Sequence, residues 1–482
     1  MTAPSATPAL AIEGLSVLHG AQALVRDIFF AIPAGGVLTL LGESGSGKSL
    51  LALAVMGNLP TSLRCEGQVH IGGERTDAAD QRSRHAGWGR RIALLPQEPW
   101  LALDPTMTIG RQVAETYELV SRPAADSQND SLRAARTGAR DLAARALASL
   151  GLREAADQYP FMISGGMAQR VAFLATHAAG APLMIIDEPT KGLDADRRDE
   201  VLGLLLAARE QGMSLLCITH DVWLARALGG RLAVMLDGTL IEQGEAATVL
   251  AAPRHEYTRR LLAAEPARWP AHAAAVEAGA GIVAEVRGVG KSFGRQTLFA
   301  DVSARIAAGE IAAVTGPSGA GKTTFGNIVL GLLKPDTGQV TRAPGLAPTA
   351  FQKIYQDPAA AFAPTISLRC SLQDLVRLHR LDWAELEALL ARMRLSPALL
   401  DRLPRQVSGG ELQRFALARV LLMKPALIFA DEPTSRLDPV TQQEVIALLA
   451  AHARSSGCAV LLVTHDADIA RRVADRQIRL AN

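Results

Sequence analysis

Six short apolar stretches set the rhythm of the chain. GVLTLLG (36–42), LMIID (183–187) and LLCITH (215–220) lie in its first half, and counterparts at 311–316, 427–431 and 460–465 lie in its second. Each is apolar at consecutive rather than alternating positions, which predicts strands buried on both faces, the usual condition of a parallel sheet. The first strand of each half runs through a glycine-rich turn into an apolar segment of helical character, SLLALAVMGNL in one and TTFGNIVLGLL in the other. Between the halves, EPARWPAHAAAVEAGAG (265–281) has no apolar periodicity and is expected to be a linker. Rich in turn-forming and polar residues, SRPAADSQNDSLRAARTGAR (121–140) is expected to form an exposed loop. An α/β protein of two domains follows, the first over 8–264 and the second over 282–482.

The glycine-rich turns carry the candidate chemistry. GESGSGKS (42–49) and GPSGAGKT (316–323) both read G-x-x-x-x-G-K-[ST], and both sit between a strand and a helix, the context that gives this motif its meaning. In such a loop the backbone N–H groups face inward on phosphate oxygens, and the helix N-terminus adds a favourable partial charge. The candidate phosphate contacts are therefore Gly42, Glu43, Ser44, Gly45, Ser46, Gly47, Lys48 and Ser49. In the second half they are Gly316, Pro317, Ser318, Gly319, Ala320, Gly321, Lys322, Thr323 and Thr324.

Further landmarks follow in the same order in each half. A glutamine near a proline comes first, Gln97 in LLPQEP and Gln356 in IYQDP. Ser-Gly-Gly is next, at Ser164, Gly165 and Gly166 and at Ser408, Gly409 and Gly410. An apolar run then ends in Asp187-Glu188 or Asp431-Glu432, and the series closes at His220 or His465. Serine to aspartate is 23 residues in both halves (164 to 187, 408 to 431). Lysine to glutamine is 49 against 34 and glutamine to serine 67 against 52, so the first half carries two extra stretches, both before its Ser-Gly-Gly. Surface insertions cost little, whereas atoms that meet one ligand hold their spacing. A carboxylate one residue past an acidic strand end, as at Glu188 and Glu432, is placed to accept a proton from water, or else caps a helix. Ser-Gly-Gly at a helix start offers free N–H groups and a hydroxyl to a phosphate, or else is an ordinary glycine-rich cap.

Composition narrows the setting. The chain has 482 residues, and its 50 Lys and Arg nearly balance 48 Asp and Glu, so nothing points to a nucleic-acid groove. No apolar run approaches the roughly 20 residues of a membrane span, and the opening MTAPSATPALAIEGL lacks the basic start and apolar centre of a secretory signal. A cytoplasmic protein is expected. Cys65, Cys217, Cys370 and Cys458 form no C-x-x-C pair, and buried reduced thiols are the expectation for them.

The ordered, repeated set of motifs resembles the nucleotide-binding subunits of ATP-binding-cassette (ABC) proteins over nearly the whole chain. The segments MLDGTLIEQGE (235–245), APRHEYTRRLLAAEP (252–266) and YPFMISGGMAQR (159–170) resemble more narrowly the oligopeptide, dipeptide and nickel import branch. The resemblance implies two P-loop ATPase domains, each with a mainly parallel core, an antiparallel β subdomain and a helical subdomain. It implies ATP and Mg²⁺ as ligands, with Ser49, Gln97 and Asp187, and Thr323, Gln356 and Asp431, around the metal. Glu188 and Glu432 become the catalytic bases, and His220 and His465 hold the γ-phosphate. His19 and Phe293 match the adenine-stacking position, although Phe293 also suits a core ring.

The same resemblance places Ser164, Gly165 and Gly166 against the nucleotide of Lys322, and Ser408, Gly409 and Gly410 against that of Lys48, in a head-to-tail sandwich. Departures from the family pattern are ISGGM and VSGGE in the signatures, where Met167 weakens the second site, and KGLD and SRLD, which keep Asp194 and Asp438. The second half is expected to be short, ending at DRQIRLAN. The leading expectation is the energy-coupling subunit of an importer for peptides, nickel or a metal chelate. It would lie at the cytoplasmic face of the inner membrane, bound to two transmembrane permease subunits, with an extracytoplasmic substrate-binding protein. A soluble tandem ATPase of ribosomes, DNA repair or carbon–phosphorus metabolism is the alternative. The short alanine-rich linker disfavours the ribosome form and the absence of cysteine pairs the repair form, and the carbon–phosphorus form stays open.

Overall fold

A computed structural model describes residues 7–98, 102–121, 129–193, 195–270, 280–294, 296–317, 319–435 and 437–480. The chain folds as two compact units, Met1–Lys191 with Asp196–Leu262, and Gly192–Ala195 with Ala263–Asn482.

The strands of the first unit are β1 (Leu10–His19), β2 (Gln22–Ile32), β3 (Val37–Leu41), β4 (Arg64–Ile71), β5 (Glu74–Asp77), β6 (Ile92–Leu95), β7 (Leu183–Asp187), β8 (Ser214–Thr219), β9 (Arg231–Leu236) and β10 (Thr239–Glu245). Its helices are α1 (Lys48–Met56), α2 (Gln81–His85), α3 (Ile109–Ser121), α4 (Asn129–Ser149), α5 (Gly165–His177), α6 (Ala195–Glu210), α7 (Val222–Leu228), α8 (Ala246–Ala251) and α9 (Glu256–Ala263). One sheet is antiparallel, in the order β2-β1-β4-β5, and the other runs β10-β9-β3-β8-β7-β6 with only β10 antiparallel. Every residue of β3, β7 and β8 is buried, as their unbroken apolar character requires. Burying such Leu and Ile side chains stabilises the fold by roughly 1.5–3 kcal/mol each. Because β3, β8, β7 and β6 are parallel, their C-terminal ends share one edge, where open α/β sheets bind ligands.

The second unit repeats the plan with β11 (Ile282–Phe293), β12 (Gln296–Ala307), β13 (Ile311–Thr315), β14 (Thr337–Arg342), β15 (Phe351–Ile354), β16 (Leu427–Asp431), β17 (Ala459–Val463) and β18 (Arg476–Arg479). Its helices are α10 (Lys322–Leu330), α11 (Leu368–His379), α12 (Trp383–Arg392), α13 (Gly409–Leu422), α14 (Pro439–Ser456) and α15 (Ala467–Val473). A three-stranded antiparallel sheet, β12-β11-β14, accompanies a five-stranded parallel sheet ordered β15-β16-β17-β13-β18. The first of the two extra stretches in the first half is the β5–α2 excursion, and the second lengthens α3 and α4 relative to α11 and α12.

Two expectations are corrected. Residues 129–140 lie in α4 rather than in a polar loop, because Ala139, Ala143 and Leu147 recur at helical spacing and are buried, while 122–128 lie outside the described residues. Cys370 is exposed on the polar face of α11, whereas Cys65, Cys217 and Cys458 are buried, and burial pushes the Cys65 and Cys458 thiols up to about 11 and about 12. Trp269 is buried in the core of the second unit, its indole donating to Ala264 O at 2.9 Å, and Arg472 of α15 donates to Ala267 O at 2.8 Å. Residues 271–279 lie outside the described residues.

Candidate active sites

Each phosphate loop leaves a central strand and enters a helix whose first turn has no side-chain cap. Gly47 precedes α1 at φ 102° and Gly321 precedes α10 at φ 83°, conformations that L side chains rarely adopt. Gly42 is required for a different reason: a Cβ there would meet Met235 O at 2.3 Å. The uncapped N–H groups of α1 and α10 are thus aimed at the loop. Lys48 Nζ donates to Gly42 O at 2.8 Å and Glu43 O at 2.7 Å, and Lys322 Nζ donates to Gly316 O and Pro317 O, both at 2.9 Å. Both lysines are buried and rest on their own loop. Ser44, Gly45, Gly319 and Thr323 are exposed, Ser46 and Ala320 are buried, and Thr324 is half-buried; Ser318 and Asp194 lie outside the described residues.

The acidic pair ends the strand beside β3 or β13 by one interposed strand, β8 or β17. Glu188 and Glu432 adopt φ 51° and 48°, the left-handed region that costs a bulky residue energy, and such strain gathers at functional sites. Their amides stay in the sheet pattern, donating to Ile218 O at 2.8 Å and Val463 O at 3.0 Å, so the twist turns the carboxylates toward the histidines. Glu188 Oε1 lies 2.9 Å from His220 Nδ1, and Glu432 Oε1 lies 2.5 Å from His465 Nε2. Burial works against the Glu188 charge, but the charge and hydrogen bond of His220, with Lys48 and Lys191, outweigh it and hold the carboxyl below its usual range. His220 is raised: burial opposes its charging, and the Glu188 charge and hydrogen bond overcome that.

Around the aspartates the halves diverge. Burial pushes the Asp187 carboxyl up, opposed by a hydrogen bond from Ser49, and its Oδ1 is buried without a hydrogen-bond partner among the described residues. An orphaned, buried acidic oxygen beside a hydroxyl fits a divalent cation. Asp431 has both oxygens engaged: Thr323 Oγ1 donates to Oδ1 at 3.0 Å, and Lys353 Nζ sits 3.3 Å from Oδ2. The glutamines follow β6 and β15. Gln356 Nε2 donates to Glu432 Oε2 at 2.8 Å, whereas Gln97 is half-buried and makes no such bond to Glu188.

Ser164 caps α5 and Ser408 caps α13, each accepting from the amide three residues on at 3.3 Å. Ser164, Gly165, Ser408 and Gly409 are exposed. Glu411 also folds back on Ser408, its Oε2 accepting from the Ser408 amide at 2.8 Å and hydroxyl at 2.9 Å. Met167 at the matching place offers nothing comparable. His19 and Phe293 end β1 and β11. His19 is exposed, and Phe293 is 55% exposed with Lys291 Nζ 5.5 Å from its ring, so Phe293 is not a core side chain. Lys353 escaped the sequence reading, although a lysine amid the apolar FQKIY was a visible signal. So did Gln169, buried on α5, whose Nε2 donates to Pro189 O at 2.5 Å and ties the signature helix to the segment after Glu188.

Comparison with known proteins agrees with this geometry. The ABC transporter family model matches residues 25–191 and 299–435. The uncharacterized ABC transporter ATP-binding protein YejF of Escherichia coli (strain K12) is 32% identical over 98% of this chain and 93% of its own length. The glutathione import ATP-binding protein GsiA of Salmonella choleraesuis (strain SC-B67) is 32% identical over 97% of this chain and 84% of its own. The archaeal ribosome recycling factor aABCE1 superposes with a TM-score of 0.62 over 92% of this chain and 83% of its own at 21% identity, a likeness of fold alone. Two glycine-rich strand–loop–helix units, two strained glutamate–histidine pairs and likeness over 97–98% of the chain converge on one assignment: the chain belongs to the ABC transporter family, as an ATP-binding protein with two ATPase domains.

Proposed function

We propose that the chain energises an importer of peptides, with one domain over 8–264, another over 282–482 and a linker over 265–281. The observation that carries the import reading is the likeness to a glutathione import ATP-binding protein over 97% of this chain and 84% of that one, glutathione being a tripeptide. The likeness to a ribosome recycling factor is one of fold and gives the soluble alternative no comparable support.

In each half the lysine exchanges its two loop carbonyls for β- and γ-phosphate oxygens of ATP, and the uncapped helix start takes the remaining charge. His19 and Phe293 present exposed faces to adenine. Glu188 and Glu432 orient the attacking water and take its proton. His220 and His465 fix those carboxylates and the γ-phosphate. Ser49, Gln97 and Asp187 would hold Mg²⁺ in the first half, and Thr323, Gln356 and Asp431 in the second. The ion, when bound, neutralises charge on the phosphates. The Ser164-Gly165-Gly166 start serves the nucleotide of Lys322, and Ser408-Gly409-Gly410 serves that of Lys48.

Two permease subunits and an extracytoplasmic binding protein complete the importer, with this chain peripheral at the cytoplasmic face. No helix among the described residues is long and apolar enough to cross a membrane. A groove of about 330 Å³, lined by Met56, Trp88, Leu94, Leu103, Ala172 and Thr176, suits a short apolar permease helix. It adjoins the end of β6, so pressure there reaches Gln97. Purification from detergent-solubilised membranes tests the reading. Two multi-span proteins should accompany the chain, and recovery with ribosomes or repair proteins instead would overturn the import claim.

A further inference from the structure

The second residue of each phosphate loop is pinned by a different device. In the first loop the Glu43 amide donates to the Tyr257 hydroxyl at 2.9 Å, across 214 residues of sequence. Tyr257 is 8% exposed and belongs to α9. That helix is firmly seated. Glu242 on β10 accepts from the amides of Arg254 and His255 at 2.7 and 3.1 Å, just before α9 begins. The Tyr257 amide donates to His255 Nδ1 at 3.1 Å, and Leu261 and Leu262 are buried beneath the helix. On its other side Glu43 supplies the carbonyl that takes Lys48 Nζ at 2.7 Å. One residue therefore links a rigid external helix to the lysine of the loop.

In the second loop the same position is Pro317. Its carbonyl takes Lys322 Nζ at 2.9 Å, as Glu43 takes Lys48, but proline has no amide hydrogen to satisfy, and its ring fixes φ. The loop that has an N–H at this place gives it a buried tyrosine; the loop that has none needs no tyrosine.

We propose that Tyr257 is a positioning residue of the first nucleotide site. Its hydroxyl holds Glu43 so that the turn behind it presents its N–H groups to phosphate already in place, which reduces the ordering that binding must otherwise impose. The first site thereby answers to the docking of α9 on β10, and the second does not.

Tyr257→Phe keeps the ring and removes only the hydroxyl. The test is photolabelling of the full chain with an azido-ATP analogue in the absence of turnover, with labelled peptides of each half quantified against nucleotide concentration. Half-saturation in the first half should rise about fivefold, the worth of one hydrogen bond, while the second half stays unchanged. No shift in the first half, or an equal shift in both, would overturn the proposal. An unaltered chain that takes no label in either half would overturn the nucleotide reading along with it.

Discussion

Asp187 and Asp431 end equivalent strands, precede equivalent glutamates and stand one strand away from equivalent lysines, yet their carboxylate oxygens meet different partners. Asp187 is buried with one oxygen unpartnered, and burial favours its protonated form. Asp431 has a lysine at 3.3 Å and a threonine hydroxyl at 3.0 Å. The difference comes from the neighbouring strand. Lys353 on β15 pairs in register with Phe429, two residues before Asp431, and Leu94 on β6 pairs with Ile185, two before Asp187. Matching motifs can thus hold unmatched sites, because the charge that distinguishes them lies outside the motif.

The most drastic way to probe this asymmetry is to remove the bases one at a time. Glu188→Gln and Glu432→Gln keep the shape of the side chain and remove its basicity, a contribution of about 10²–10⁴-fold to the rate. The double variant should lose ATP hydrolysis by at least about a hundredfold in a phosphate-release assay while retaining bound ATP. The single variants rank the two halves. Substantial turnover in the double variant would remove both glutamates from their assigned role.

A smaller effect lies at the far end of the phosphate-loop helices. Arg84, 2% exposed, donates to Ala54 O at 3.2 Å, Ala78 O at 2.9 Å and Asp77 O at 2.9 Å, closing the C-terminus of α1 from the extra β5–α2 excursion. The second half does the same work with a half-buried Arg342 that donates to Val329 O at 3.1 Å. Arg84→Met strands several buried acceptors and should destabilise the first domain by about 3 kcal/mol, against about 1 kcal/mol for Arg342→Met. Urea unfolding followed separately in the two domains reads this, and equal losses would show that the excursion is dispensable to α1.

How far such features can be read from sequence depends on whether they are local. The core strands are legible because burial on both faces leaves an unbroken apolar run, and the loops and acidic pairs are legible because their spacing is short and repeated. The helix over 129–140 was hidden because Ala139 and Ala143, two of the buried residues of α4, are alanines, which mark no stripe against polar neighbours. The burial of Trp269 was hidden because its partners lie across the second unit's core. The lysine in FQKIY is conspicuous, but its place beside Asp431 depends on strand register, and Tyr257 beside Glu43 depends on a contact between distant segments; neither pairing leaves a local pattern.

Strand register also predicts how to equalise the halves. Lys353, 12% exposed, lies 3.3 Å from Asp431 and would compete with a cation placed there. Lys353→Met should lower the Mg²⁺ concentration that half-saturates nucleotide binding in the second half by about tenfold, as expected for one charge lost at this range in a partly screened setting. Leu94→Lys should raise it in the first half. Manganese titration followed by spin resonance reads the metal directly, and identical metal affinities in the parent and Lys353→Met chains would show that Lys353 yields its place without cost.

The smallest effect tests where each signature acts. Glu411 occupies the Ser408 hydroxyl and amide, while Met167 leaves Ser164 free of such a bond, so the two helix starts present different faces. Glu411→Met releases the hydroxyl and removes a carboxylate that would oppose a γ-phosphate, at a capping loss of about 1 kcal/mol. If Ser408 serves the nucleotide of Lys48, ATP binding should tighten about threefold in the first half, not in the half that carries the substitution. Met167→Glu should do the reverse, weakening the second. Half-resolved photolabelling separates the outcomes, because an effect confined to the substituted half would place each signature on its own nucleotide and end the head-to-tail arrangement.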